Sequence, residues 1–199
     1  MSKVMVINGS PRKEKGNTGF LLKSFIEGMV EAGADVDVIY ASELKADPCT
    51  CGRMYCWNVN PGICCIKDVM QDLYPRLTET DILILATPMY IPFPGDMQNL
   101  VNRLCPLIDP RLTYTNGRMR AMPRSPVAIR KIALVATSGW WEKGNLDTLT
   151  LIARELAADM GVEFSGAIIR PHAYYIRHKG NVTPGGQKVL DAVKRAGRM

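Results

Sequence analysis

Val4-Met5-Val6-Ile7-Asn8-Gly9-Ser10-Pro11-Arg12-Lys13-Glu14-Lys15-Gly16-Asn17-Thr18-Gly19-Phe20 opens on an unbroken apolar run, crosses a loop dense in hydroxyls, amides and cations, and closes on an amphipathic stretch. The run, residues 4–8, is apolar on both faces, as a central parallel strand must be. From residue 18 to 31, Phe20, Leu21, Leu22, Phe25, Ile26 and Met29 form one helical stripe, and Gly33 ends it. Strand, loop and helix in that order place free helix N–H groups and a positive dipole end on the loop. That geometry suits a phosphate.

Working outward, the same alternation recurs. Residues 35–40 alternate polar and apolar as a half-exposed second strand, and residues 81–87 are a strongly apolar third. Strands are also expected at 132–136 and 162–169, with helices at 95–107, 145–160 and 184–198. Asp68 reads as the N-cap of a helix through Met70, Leu73 and Leu77, which Pro75 interrupts and kinks. Residues 109–126 read as a long basic loop, a kind that is uncommon and often functional. Five strands alternating with helices predict an α/β fold: a doubly wound, three-layer parallel sheet of order 2-1-3-4-5 over residues 1–199. A cysteine-rich insertion is expected at about residues 47–67. The strand order reverses between the first and third strands, so a ligand belongs beyond their C-terminal ends. Loops 10–18 and 88–94 lie there.

Composition bounds the reading. No apolar run reaches membrane-spanning length. The first strand begins almost at once and leaves no room for a signal peptide, so a cytoplasmic protein is expected. The net charge of +6 raises nucleic-acid binding, but the cations are scattered and lack a stacking-aromatic pattern, which argues against it. The exception is residues 111–131, with Arg118, Arg120, Arg124, Arg130 and Lys131. Outside a secretory context, the six cysteines read as thiols or ligands rather than disulfides.

The glycines at 9, 16 and 19 miss the dinucleotide spacing, and the second strand ends in Tyr40 rather than an acid. No lysine follows Gly16, so the loop is not a P-loop either. What remains is a side-chain-rich cup for a monophosphate. Ser10 and Thr18 offer hydroxyls, Asn17 an amide, and Arg12 or Lys13 charge. An ordinary solvated turn with Thr18 as N-cap is the bland alternative. Tyr90, Ile91 and Phe93, stiffened by Pro88, Pro92 and Pro94, form an apolar wall suited to a flat ring. Ser138-Gly139-Trp140-Trp141 supplies a third edge.

Three motifs occur in order: Val6-Ile7-Asn8-Gly9-Ser10-Pro11-Arg12 with Gly16-Asn17-Thr18, then Thr87-Pro88-Met89-Tyr90, then Gly95-Asp96-Met97-Gln98 with Asn102-Arg103. Together they resemble the NADPH-dependent FMN reductase and iron–sulfur flavoprotein family. The resemblance implies a flavodoxin-like fold, bound FMN, electron transfer, and a homodimer or homotetramer. It implies that Ser10, Arg12, Asn17 and Thr18 hold the FMN phosphate and that Pro88, Met89, Tyr90 and Ile91 line the flavin ring. Ser138 and Gly139 would approach the ring's far edge. Pro92-Phe93-Pro94 departs from the small or polar residues of relatives.

Residues 48–68 carry Cys49, Cys51, Cys56, Cys64 and Cys65. The iron–sulfur branch has a compact C-x2-C-x2-C and a fourth cysteine before an Ile-Lys-Asp segment. Here the outer anchors match, Cys64 preceding Ile66-Lys67-Asp68, but Cys51 comes one position early. The resemblance favours a [4Fe-4S] cluster on Cys49, Cys51, Cys56 and Cys64, with Cys65 competing for the last place. Free thiols in a cluster-free reductase are the alternative. Cys105, beside Pro106, is expected in the core.

The expected function is a flavin oxidoreductase. It takes electrons from NAD(P)H or a ferredoxin-like carrier and passes them to a quinone, a disulfide or oxygen. A cluster-free NAD(P)H-dependent FMN or quinone reductase, or a non-enzymatic FMN electron carrier, is the rival. No catalytic side chain is expected, because the flavin carries the chemistry. Three roles stay open for the basic segment 111–131: steering an acidic ferredoxin, binding the extra phosphate of NADPH, or simply facing solvent.

Overall fold

The computed structural model describes residues 1–199. In chain order, strands β1 (Lys3–Asn8), β2 (Asp35–Tyr40) and β3 (Ile82–Pro88) are interleaved with helices α1 (Asn17–Glu31) and α2 (Met70–Thr78). Helix α3 (Gly95–Asn102) leads to strands β4 (Ile108–Thr115) and β5 (Arg118–Pro123). Then come β6 (Lys131–Thr137), α4 (Asp147–Asp159), β7 (Glu163–Arg170), the short strands β8 (Arg177–His178) and β9 (Asn181–Val182), and α5 (Pro184–Gly197). The main sheet is parallel, in the order β2-β1-β3-β6-β7. With β4 and β5 set aside, that is the expected 2-1-3-4-5 order.

Strand periodicity builds the layers, because successive side chains point to opposite faces. Met5 and Ile7 of β1, Leu83 and Leu85 of β3, and Leu134 and Ala136 of β6 join one core with residues of α2, α3 and α4. Val4, Val6, Ile84, Ala86 and Val135 face the other way, into a core closed by α1 and α5. No helix is long and apolar enough to cross a membrane.

Three expectations need correction. The basic loop 109–126 is in fact the antiparallel hairpin β4–β5, turned at Asn116-Gly117 with φ of 52° and 78°. Asn-Gly is the residue pair that such a two-residue turn favours, so the sequence held the signal. Several cations in and after the hairpin are paired with acids. Arg118 and Arg120 pair with Glu155, Arg120 also with Asp159, Arg130 with Asp81, and Lys131 with Glu163. Helix α3 ends at Asn102, short of residue 107, and a 3-10 turn follows over Cys105–Leu107. Pro106 has no N–H and disfavours helical geometry at the residue before it, so the helix stops early. Helix α2, finally, runs on through Pro75 to Thr78.

Helices α1 and α5 cross at glycines. A Cβ on Gly28 would stand 2.0 Å from the Lys194 carbonyl oxygen, and one on Gly197 would stand 2.2 Å from that of Phe25. Backbone-to-backbone packing leaves nothing that can rotate away. Gly28→Ala is therefore expected to lower stability by about 1–3 kcal/mol despite its better helix propensity. A urea titration that shows equal or higher stability would refute this packing argument.

Candidate functional site

The C-terminal ends of β1, β3 and β6 bring three loops together. The Gly9 N–H donates to Ala86 O (2.8 Å), the Met89 N–H donates to Thr137 O (2.7 Å), and the hydroxyls of Thr18 and Thr137 share a hydrogen bond of 2.7 Å. Loops 10–18, 88–94 and 138–141 are thereby fixed around the crevice where the strand order reverses.

The first loop ends at an open helix terminus. Gly16 is the N-cap of α1 and supplies no side-chain acceptor, and the first turn carries no acid. The N–H groups of Asn17, Thr18 and Gly19 have no acceptor in the protein, since the ladder starts with Phe20 donating to Gly16 O. Thr18 is not the cap, because its hydroxyl is committed to Thr137. Ser10 is 2% exposed, its N–H donates to Asn8 Oδ1, and its hydroxyl has no protein partner. A Cβ on Gly16 would stand 2.6 Å from that hydroxyl, so only glycine keeps the cup open. Arg12 is exposed and makes no ion pair. Asn17 Oδ1 accepts from Arg177 Nη2 at 3.1 Å, a contact that nothing local in the sequence announces.

The second and third loops are apolar and open. Tyr90 is 50% exposed and Ile91 99%, while Pro88 and Met89 are half-buried. Phe93 does not join the expected wall. It is 4% exposed and packs in the core with Met97 and Leu100. Trp140 and Trp141 are exposed, and Trp141 stacks on His172 with ring centroids 3.8 Å apart. Ser138 is buried, its hydroxyl donating to Trp140 O, and Gly139 lies against the Tyr174 ring. A cavity of about 480 Å³ lies elsewhere, along α1 and β2 between Phe20, Ile26, Val38 and Tyr40. The crevice itself is an open face.

The cysteine segment is gathered beside the same end of α3. Asn99 and Arg103, one helical turn apart, hold its start. Asn99 Nδ2 donates to Ala46 O, and Arg103 Nη1 donates to Asp47 O (2.6 Å). Its far end is held by Asp68, which takes Arg103 Nη1 and Nη2 at 2.7 and 2.9 Å and also accepts the N–H groups of Asp47 and Met70. Burial works to raise the Asp68 carboxyl, but the Arg103 guanidinium outweighs it and holds the group below the usual range. Arg103 Nη2 also donates to Cys64 Sγ at 3.5 Å, while its buried Nε has no partner.

The six thiols are free. Cys49 and Cys51 have their sulfurs 3.9 Å apart. The Tyr55 backbone N–H draws the Cys51 thiol down. Burial, then the neighbouring thiols, pushes Cys49 up, and burial together with Cys105 pushes Cys56 up to about 12. Cys105 is only half-buried and lies beside Cys56, so it belongs to this group rather than to the core. No three Cys, His, Asp or Glu side chains converge closely enough to hold a single metal ion.

A family model described as NADPH-dependent FMN reductase matches residues 2–151. The chain belongs to that family of oxidoreductases. An iron–sulfur flavoprotein of Archaeoglobus fulgidus is 29% identical over 138 residues, 69% of this chain and 59% of that one. Another, from Methanocaldococcus jannaschii, is 33% identical over 88 residues, 44% of each chain. The chain thus spans about half the length of the curated relatives it matches. Among solved structures, an NAD(P)H:quinone oxidoreductase from Methanothermobacter marburgensis superposes with a TM-score of 0.66 at 16% identity, over 99% of this chain and 98% of that one. An FMN-dependent NADH-azoreductase from Bacillus anthracis, solved in complex with FMN, gives 0.61 at 14%, over 99% and 98%. At those identities the shared property is the fold.

Within this FMN reductase family member, the structure brings Ser10, Asn17 and Thr18 to one helix terminus and leaves Arg12 at its rim. Of the predicted thiols, Cys56 and Cys64 are buried, Cys51 is half-buried, and Cys49 and Cys65 are exposed. Sequence reasoning missed Arg103 as the anchor of the cysteine segment and Arg177 at the phosphate cup. Removing Arg103 strands a buried carboxylate, so Arg103→Leu is expected to cost about 3–5 kcal/mol, and adding Asp68→Leu to recover most of it. Because Asp68 is depressed in the fold, the pair's contribution is present above the ordinary carboxylate value of about 4 and fades as the pH falls through the folded value. Urea unfolding at neutral pH and in acid tests both; a single variant as stable as the parent would refute the anchor.

Proposed function

We propose that this chain binds FMN at the crevice and works as an FMN-dependent oxidoreductase. The observation that carries the reading is the open α1 terminus, with three N–H groups and the buried Ser10 hydroxyl unpartnered, in a chain of the FMN reductase family. An anion with several acceptor oxygens completes that cup. Ser10, Asn17, Thr18 and the rim cation Arg12 hold the phosphate. Pro88, Met89, Tyr90 and Ile91 line one side of the ring, and Ser138 and Gly139 approach its far edge. When bound, FMN supplies two-electron chemistry between a nicotinamide donor and an acceptor such as a quinone, a disulfide or oxygen. The side chains bind, orient and exclude water. None is placed to act as acid or base.

The exposed Tyr90, Ile91, Trp140 and Trp141 leave the ring's outer side open, which supports a homodimer or homotetramer that closes it.

The finer reading is an iron–sulfur flavoprotein with a [4Fe-4S] cluster on Cys49, Cys51, Cys56 and Cys64. The donor set fits: soft thiols from one irregular segment, beside a buried guanidinium whose Nε lacks an acceptor. The Arg103 contact favours Cys64 over the exposed Cys65 as the fourth ligand. Its spacing departs from that branch at Cys51. A bound cluster would supply single-electron exchange with a carrier such as ferredoxin.

An absorption spectrum with iron and sulfide analysis on anoxically purified protein tests both levels. Flavin bands, together with about four irons per chain as a cubane requires, are the expected result. Flavin without iron would remove the cluster, and no flavin after added FMN would remove the whole reading. Cys64→Ser is expected to lose the iron and Cys65→Ser to keep it; the reverse would exchange the two ligands.

A further inference from the structure

Arg177 begins β8, just after the buried 3-10 turn Ala173–Ile176, and lies 160 positions from the residue it grips. Its Nη2 donates to Lys15 O at 3.2 Å and to Asn17 Oδ1 at 3.1 Å, and its guanidinium carbon lies 4.3 Å from the Phe20 ring centroid. Three contacts therefore clamp it across the junction of the first loop and α1. No acid pairs with it, in contrast to Arg118, Arg120 and Arg130. The cation is uncompensated and sits where a helix terminus is itself positive. Two like charges are placed together without an anion in the protein to balance them.

The chemistry of the pair fixes its orientation. A guanidinium only donates, so the Asn17 atom that faces it is the carbonyl oxygen. Both amide N–H donors of Asn17 are then turned away from Arg177 and left for a ligand. Without Arg177 the amide can flip and present its oxygen to an anion instead.

We propose that Arg177 is a positioning residue for the phosphate end of the flavin: it locks the Asn17 amide with its donors toward the ligand and adds the charge that the open α1 terminus requires. The proposal rests on the FMN reading above and reaches beyond it to a segment outside residues 2–151, where the family match lies. The role is specific to the phosphate. The ring contacts lie on the other loops and are independent of it.

The test is the affinity of the apoprotein for FMN and, separately, for riboflavin, followed by quenching of flavin fluorescence. Arg177→Met is expected to weaken FMN binding roughly 10- to 100-fold, as for lost hydrogen bonds to a charged group, and to leave riboflavin unchanged. Arg177→Lys, which keeps the charge but not the fork, should fall between. Asn17→Asp, which satisfies Arg177 but turns an acid toward the phosphate, should also lower FMN affinity alone. An unchanged FMN-to-riboflavin ratio in Arg177→Met overturns the role of Arg177 while leaving FMN binding intact. Equal loss of both flavins in all three variants overturns it too, since that marks general damage to the fold. A parent protein that binds neither flavin overturns the FMN reading and this proposal with it.

Discussion

The buried ion pair between Arg103 and Asp68 is the constraint on which the cysteine side of the molecule depends. One guanidinium, 1% exposed, ties the end of α3 to both ends of an otherwise irregular segment, through Asp47 O at its start and Asp68 at its close. Charge buried this deeply is costly unless every lone pair and proton finds a partner. Asp68 meets that demand with bonds from Arg103, Asp47 and Met70. Arg103 does not, because its Nε has no partner. The pair is saturated at the carboxylate and unsaturated at one guanidinium nitrogen.

The sheet places this support. Parallel pairing of β1 with β3 and of β3 with β6 sets Asn8, Ala86 and Val135 level, and β3 and β6 run on together to Pro88 and Thr137. The Thr18–Thr137 bond then fixes the α1 terminus over the same edge. The phosphate cup is what remains when a helix starts at Gly16 without a side-chain cap, after a loop in which Lys13 takes a left-handed φ of 51°.

The fold was legible because it rests on local periodicity. Met5 and Ile7 against Val4 and Val6 already separate the two cores, and the strand order follows from short right-handed connections. The hairpin was legible too, in Asn116-Gly117, but Pro110 and Pro123 drew the segment toward a loop reading. Phe93 shows the limit of reading a loop by composition: an aromatic among prolines suits a ring wall or a core equally, and its direction is set by Met97 and Leu100 on the following helix. Arg103 stood in a quoted motif but its anchoring role was not legible, and Arg177 was not legible at all. Their partners lie 35 and 160 residues away, so neither periodicity nor motif spacing connects them.

The distribution of paired charge carries the last step. A net charge of +6 suggests a basic surface, and the densest basic run lies in and after the β4–β5 hairpin. Yet that run is matched by Glu155, Asp159, Asp81 and Glu163, acids supplied by other parts of the chain, and such exposed pairs add little to stability. Their effect is to flatten the field there. Arg12 and Arg177 at the α1 terminus receive no acid, so the positive potential that survives neutralisation includes the one place where a helix dipole reinforces it. Sequence charge alone pointed to the hairpin. Pairing in three dimensions moves the candidate anion site to the phosphate cup, where the chain's C-terminal segment and its first loop meet.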